Sequence, residues 1–428
     1  MPAVRRLTLL ALALSSSAFA ARIGTIPPAE ALTAQRVAAL PAAERAPWAA
    51  YLARSDAQRA ADRAALAAER QGLTTLPPTP AGGHSEGSMP LDKPAAWYAS
   101  EPALRVARNI LSFQTPAGGW GKNQPRDAAP RERGQAYVAD NNLKKPTPDD
   151  FDLAKDPQWS YVGTIDNDAT ITEIRFLARV AAQQPGDAGE PYRQSAQRGL
   201  AYLLAAQFPN GGWPQVWPLQ GGYHDAITLN DNAVVEVAEL MGMVVHGEAD
   251  LGFVPPALKT AAAVAEERAV QLLLATQVRI DGKPALWAQQ HDALTLAPTS
   301  ARNYEPPALC SGESARALGY LMSVPNPSPA VVDAVKGGIA MLKSLAVRDV
   351  AFVRVDDARR LVAKPGAGPL WARYYDATTL KPVFGDRDKS LHDDVNDLSA
   401  ERRNGYAWWG TWPMKTLAAY DAWAARHP

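Results

Sequence analysis

The chain has 428 residues, 47% of them apolar and 21% charged, so it can bury a large core without help from disulfides or a cofactor. Cys310 is the only cysteine, which excludes internal disulfides and thiolate-rich metal centres. Lysine plus arginine and aspartate plus glutamate number 44 each, so no global charge calls for a nucleic-acid partner and any charge preference must be local.

Residues 1–6 are positively charged, 7–14 form an apolar run too short to span a bilayer, and Ala18-Phe19-Ala20 offers a small-residue cleavage site. Residues 1–20 therefore read as a signal peptide, which implies a secreted or periplasmic product. No later stretch approaches the roughly 20 apolar residues of a membrane helix, so no membrane partner is expected. Residues 21–72 are Ala- and Arg-rich with long helical patterns and read as a helical prelude outside the chemistry. Residues 73–94 are rich in Pro, Gly and Ser without apolar period and read as an exposed linker, leaving 95–428 as the main domain.

In that domain helical periodicity alternates with long polar loops, at about 102–114, 169–183, 191–207, 231–246, 257–277, 312–323, 329–346 and 413–425. Strand signals are confined to short runs such as 350–355, so the pattern is all-α. Two helices end in Gln (Gln114 and Gln207) and lead through Gly118-Gly119-Trp120 and Gly211-Gly212-Trp213 to a second helix; Gln277 and Trp287 form a weaker third copy. Repeated α-hairpins of this kind close into an (α/α) toroid whose long loops line a groove. Each tryptophan either locks its hairpin corner or offers a platform for sugar stacking. The Gln and Gly-Gly-Trp spacing is also similar to the repeats of terpene cyclases, whose Asp-rich motifs have another pattern and whose substrates an exported chain would not meet.

Asp166-Asn167-Asp168 precedes one helical run and Asn230-Asp231-Asn232 another. Helix capping explains one such group per helix mouth, and Thr170 with Glu173 offers a separate capping box. Two mouths that each carry an Asp among carboxamides are better explained by a shared hard cation such as calcium. Asp225 either joins them or shapes its own loop. Arg302 lies in a loop braced by Tyr304 and prolines, and Arg387, Arg402 and Arg403 lie near aromatic residues of the C-terminal segment. Guanidiniums beside flat rings suit a polyanion of sugar carboxylates, although a solvated charged loop explains the same residues.

These motifs carry a resemblance. With Gly118-Gly119-Trp120-Gly121-Lys122-Asn123, Thr164-Ile165-Asp166-Asn167, Asn230-Asp231-Asn232-Ala233, Arg302-x-Tyr304-Glu305 and Arg402-Arg403-Asn404-Gly405-Tyr406, residues 97–413 resemble the pectate lyases of polysaccharide lyase family ten. The family pattern has Gly and Pro where this chain has Asp168 and Gly121. The resemblance implies an (α/α) toroid, calcium bound together with polygalacturonate, and β-elimination with an arginine base. Carried onto this chain, it implies Arg302 as the base, Asp166 and Asp231 as calcium ligands, and Lys122, Asn167, Tyr304, Arg387, Arg402 and Arg403 as substrate contacts. A monomer is expected. The alternative is a catalytically silent uronate-binding protein on the same toroid.

The chemistry fits these residue types. Elimination removes the proton on the carbon beside a carboxylate, which is weakly acidic until cations spread the developing charge. A guanidinium, with a pKa above roughly 12, is a usable base only if neighbouring cations repel its proton or the medium is alkaline.

Overall fold

The computed structural model describes residues 22–143 and 149–427, so the expected signal peptide lies outside the described residues. Its helices are α1 (Ala34–Ala38), α2 (Ala42–Arg70), α3 (Glu101–Phe113), α4 (Ile171–Ala182), α5 (Glu190–Ala206), α6 (Ala233–His246), α7 (Pro256–Thr276), α8 (Ser311–Ser323), α9 (Pro329–Ser344), α10 (Ala400–Asn404) and α11 (Pro413–Ala424). Proline in the first turn starts α3, α5, α7, α9 and α11, where its missing N–H costs no hydrogen bond. Helices α3, α5, α7 and α9 pack side by side as one layer; α4, α6, α8 and α11 pack side by side as the other. Within the hairpins α4 packs on α5, α6 on α7 and α8 on α9, which makes the chain an (α/α) toroid.

The connections are unequal. Residues 183–189, 247–255 and 324–328 join one end of the hairpins by short turns, whereas 114–170, 207–232, 277–310 and 345–412 are long and gather at the other end. Among the described residues, strands occur only in these long loops and in the N-terminal segment. Val350–Val355 pairs with Ala358–Ala363 as a β-hairpin, and Gly24–Thr25 pairs with Ser390–His392.

The corners where helices enter the long loops repeat one hydrogen-bonding scheme. The indole N–H of Trp120 donates to the Ile110 carbonyl (2.7 Å), that of Trp213 to Leu203 (2.8 Å), that of Trp287 to Leu273 (2.8 Å) and that of Trp371 to Leu342 (2.7 Å). Each indole thus ties the loop to the helix it has just left. Gln114 adds bonds to the Gly118 and Ser195 carbonyls, Gln207 to Gly211 and Ala265, and Gln277 to Ala285 and Ala334. Each glutamine therefore joins its corner to the next helix of the same layer. The Gly-Gly-Trp tryptophans are fully buried, which rules out the sugar-platform reading. Gly118 and Gly211 have φ of +105° and +98°, and a Cβ there would lie 2.6 Å and 2.4 Å from the carbonyl oxygens of Arg198 and Arg268.

The N-terminal prelude shares the toroid's apolar core. Trp48 and Tyr51 of α2 pack against Phe208, and the Tyr51 hydroxyl donates to the Ala206 carbonyl (2.9 Å). The segment 73–94 is anchored where Ser85 Oγ accepts from the Gln124 N–H and Ser88 Oγ from the Arg126 N–H.

The corner scheme is testable at Gln207. Replacing it with alanine leaves the Gly211 carbonyl without that donor in a dry setting and takes a second donor from Ala265, whose carbonyl stays in the α7 ladder, so urea titration should show a loss of roughly 1–3 kcal/mol. A change within about 0.5 kcal/mol, the range of an ordinary surface substitution, would show that the clamp is dispensable.

Candidate active site

The two helix mouths are built from strained turns. Thr170 accepts at the N-cap of α4 and Glu173 Oε2 accepts from the Thr170 N–H (2.7 Å), so the expected capping box forms and Asp166–Asp168 is left free of capping duty. The helices accordingly begin at residues 171 and 233, two residues after the sequence pattern places them. Asn167, Asp231 and Asn232 have φ of 51°, 51° and 63°, a left-handed conformation that non-glycine residues adopt at a cost and that is concentrated at functional sites.

Glu173 is also the buried partner of Arg126, accepting from its Nε (3.0 Å) and Nη2 (2.8 Å). Arg126 in turn donates to the Gly121 carbonyl and to Gln124 Oε1, so one buried ion pair ties the loop carrying Lys122 to the turn carrying Asp166.

Lys122, Asp166, Asn167, Asp231, Arg302 and Tyr304 line a single cavity of about 380 Å³ at the long-loop end. Lys122 Nζ pairs with Asp166 Oδ2 and lies 3.5 Å from the centre of the Tyr161 ring. Asp166 Oδ1 accepts from Gln215 Nε2 (2.8 Å) and Asn230 Nδ2 (3.4 Å). Burial works to raise the Asp166 carboxyl, but Lys122 prevails and holds it below its ordinary value. Asp231 is pushed up to about 7 by burial and by the charge on Asp166. The two carboxyl groups thus compete for charge, which a bound cation would relieve.

Arg302 is held differently from expectation. Its Nε and Nη2 donate to Glu305 at 2.9 Å and 2.6 Å, and its backbone N–H also donates to Glu305. The Tyr406 hydroxyl completes the shell of Glu305 at 2.7 Å. Burial would lower the Arg302 pKa, but Glu305 overrides burial and drives it well up. Burial likewise opposes the charge on Glu305, and Arg302 nonetheless pulls that carboxyl to about 2. Neighbouring cations therefore do not expel the Arg302 proton in this arrangement.

Tyr304 gathers the cations. The guanidinium carbons of Arg402, Arg302 and Arg387 lie 4.1, 5.1 and 5.5 Å from its ring centre. Arg402 is buried, and its Nε and Nη1 have no hydrogen-bond partner among the described residues. Arg387 is exposed at the rim and pairs with Glu401 (2.9 Å). Arg403, expected to contact substrate, does not join them: it donates to the Asn396 carbonyl, away from the cavity. Consecutive side chains on a helix diverge by about 100°, so α10 can aim only one of the two at Tyr304. Asp225 accepts from the backbone N–H groups of Gln220 and Gly221 and so shapes its own loop.

Sequence reasoning passed over Gln215 and gave Glu305, Tyr406 and Asn230 no role beyond their place in the motifs. Glu305 had a local signal, because it stands three residues after Arg302, and Asn230 and Tyr406 stand beside Asp231 and the arginine pair; Gln215 reaches the cavity only through long-range packing. Among the described residues no group of three or more His, Cys, Asp or Glu side chains is placed to hold a metal alone.

A family profile described as pectic acid lyase matches residues 114–417. The fold is similar to that of the family 10 polysaccharide lyase from Cellvibrio cellulosa, with a TM-score of 0.64 and 27% identity over 80% of this chain and 99% of that one. An aspartate-to-alanine mutant of the same lyase, in complex with trigalacturonic acid, gives a TM-score of 0.63 and 27% identity over 78% of this chain and 98% of that one. A search of curated proteins found no match. With the toroid, the cavity and the family match in agreement, the chain belongs to the pectic acid lyase family and is a pectate lyase.

Proposed function

We propose that this cavity cleaves polygalacturonate by calcium-dependent β-elimination, with Arg302 as the base. The observation that supports this most is the meeting in one cavity of a charge-competing Asp pair and an arginine whose plane is fixed by a buried carboxylate. The substrate class follows the ligand of the Cellvibrio lyase, trigalacturonic acid. Secretion or export to the periplasm fits the N-terminal sequence pattern and a polymeric substrate, and the protein is proposed to act as a monomer.

The residues present fit calcium. Asp166 and Asp231 offer hard oxygen ligands, and Gln215 Oε1 is buried without a hydrogen-bond partner among the described residues. Two carboxylates are too few to fill a shell of six to eight oxygens, which leaves room for a substrate carboxylate. Asp166 and Asp231 would hold the ion, which when bound supplies positive charge beside the uronate carboxylate and so eases loss of the adjacent proton.

The chain's own residues do the rest. Arg402 and Arg387 supply guanidinium donors for sugar carboxylates. Glu305 and Tyr406 fix the plane of Arg302, whose Nη1 has no hydrogen bond among the described residues and accepts the proton from the carbon beside the carboxylate. The electron pair of that C–H bond forms the new double bond as the glycosidic C–O bond breaks, and the departing oxygen keeps that bond's electron pair and takes a proton from solvent. Glu305 makes the free base scarce but stabilises the guanidinium that forms, so the rate should climb with alkalinity. Lys122, the next candidate for the base, is engaged with Asp166 and Tyr161.

Incubation with polygalacturonate and calcium at about pH 8–10, where a high-pKa base is favoured, should raise ultraviolet absorbance as unsaturated ends form, and a chelator should abolish the rise. A flat trace refutes the lyase reading, and indifference to chelator refutes the calcium. Arg302→Lys and Arg302→Ala should each lower kcat by at least about 10²-fold, because charge without the positioned fork does not suffice; near-normal turnover in Arg302→Lys would exclude it as base. Removing the Glu305 charge lowers the Arg302 pKa, so in Glu305→Gln the alkaline rise of the rate profile should begin at lower pH while maximal turnover falls. An unmoved profile would mean that Arg302 does not set it. Protons compete with the cation at Asp231 below its pKa of about 7 and are gone above it. The calcium concentration for half-maximal activity should therefore fall as pH rises through that value, and an unchanged requirement would place the ion elsewhere.

A further inference from the structure

The β-hairpin Val350–Val355 and Ala358–Ala363 contributes no residue to the lining of the cavity. Its register sets Arg354 directly opposite Arg359, with Val353 facing Arg360. Directly opposed residues on neighbouring strands have Cβ atoms about 5 Å apart, and like charges in that relation destabilise the pair. Both arginines are exposed, and among the described residues neither guanidinium lies within 4.0 Å of a carboxylate. Among the described residues the one side-chain hydrogen bond of Arg354 goes to the Asp357 carbonyl (3.4 Å), and the nearby Glu401 is taken by Arg387 and Arg402. The hairpin thus holds two guanidiniums without an ion-pair partner at its tip, flanking a turn whose carboxylates, Asp356 and Asp357, do not come within 4.0 Å of either.

The tip is fastened to the wall of the active site. Asn404 Oδ1 accepts from the Arg359 N–H (2.9 Å) and Asn404 Nδ2 donates to the Asp357 carbonyl (2.9 Å). The next two residues, Gly405 and Tyr406, line the cavity. Further back, Asn396 Oδ1 accepts from the Leu361 N–H (3.1 Å) while its carbonyl accepts from Arg403. Phe352 and Leu361 pack against the core, so the tip cannot swing far from the groove. This gives Arg403 a place: it anchors the hairpin's base.

We infer that Arg354 and Arg359 form an accessory anion clamp that takes a galacturonate carboxylate from the part of the chain leaving the cavity past Gly405 and Tyr406. An anion between the two guanidiniums removes the repulsion that the bare hairpin carries, and charge-assisted bonds to a carboxylate are geometrically suited to such a fork. The clamp rests on polygalacturonate being the substrate. It acts on chains long enough to reach the hairpin and not on an oligomer that fits within the cavity.

The test compares wild type with the double variant Arg354→Ala/Arg359→Ala on polygalacturonate and on trigalacturonate, together with retardation in native gels cast with polygalacturonate. KM for the polymer should rise about tenfold, the effect of losing one charge-assisted contact, while kinetics on trigalacturonate stay within about twofold of wild type, below the size of any such contact. The difference should shrink in about 0.5 M salt, which screens exposed charges. Arg354→Glu should raise the melting temperature, because it pairs with Arg359, and yet weaken gel retardation; a structural role would move both the same way. An unchanged ratio of polymer to trimer activity, or retardation equal to wild type, overturns the clamp. If wild type cleaves neither substrate, the lyase mechanism falls, and the gel comparison alone still decides the clamp.

Discussion

The bond from a buried indole back to the helix it has just left is the constraint on which the rest of this structure depends. A helix end leaves carbonyls without partners, and in a dry corner each one left bare costs about 1–3 kcal/mol. Trp120, Trp213, Trp287 and Trp371 supply donors at four such corners, and Gln114, Gln207 and Gln277 carry three of the corners across to the neighbouring helix. The loops leave these corners in a fixed direction. That is why segments far apart in sequence, around residues 122, 166, 231, 302 and 406, can meet in one cavity.

The toroid was legible because its helices are long and periodic. Eight helical stretches emerge from spacing alone, and the structure places each within about two residues, the usual uncertainty of a helix end. The first-layer corners were legible as Gln and Gly-Gly-Trp, although their chemistry was not, since an indole on a glycine loop looks the same whether it faces sugar or backbone. The strand 350–355 was visible; its partner was hidden by Arg359-Arg360, which interrupt any apolar alternation.

The site was legible in its charged residues and much less so in how they are held. Asp166 and Asp231 stood out as more acid than a cap consumes. Arg302 stood out too, but its pairing with Glu305 reverses the electrostatic argument made for it from sequence, because a buried carboxylate in direct contact outweighs the cations gathered around Tyr304. Choosing between Arg402 and Arg403 needed the path of α10, a helix of five residues with too few turns to show a face. Gln215 carries no local signal at all, and although Asn230 stands in the second helix-mouth motif, the contacts of both with Asp166 are fixed by the packing of the loops.

The ion pair between Arg126 and Glu173 also bears on how quickly the enzyme can work. Both side chains are fully excluded from solvent, and together they lock the Lys122 loop, the Thr170 cap and the first turn of α4 into one unit. A unit cross-linked in this way has little conformational entropy left to lose when a sugar arrives. Binding energy that a floppy loop would spend on its own ordering is then available to hold the reacting ring in place. The rigidity has a counterpart in tolerance: breaking either half of a buried pair leaves a bare charge, so the loop that positions Lys122 is among the parts of this chain least able to drift in sequence.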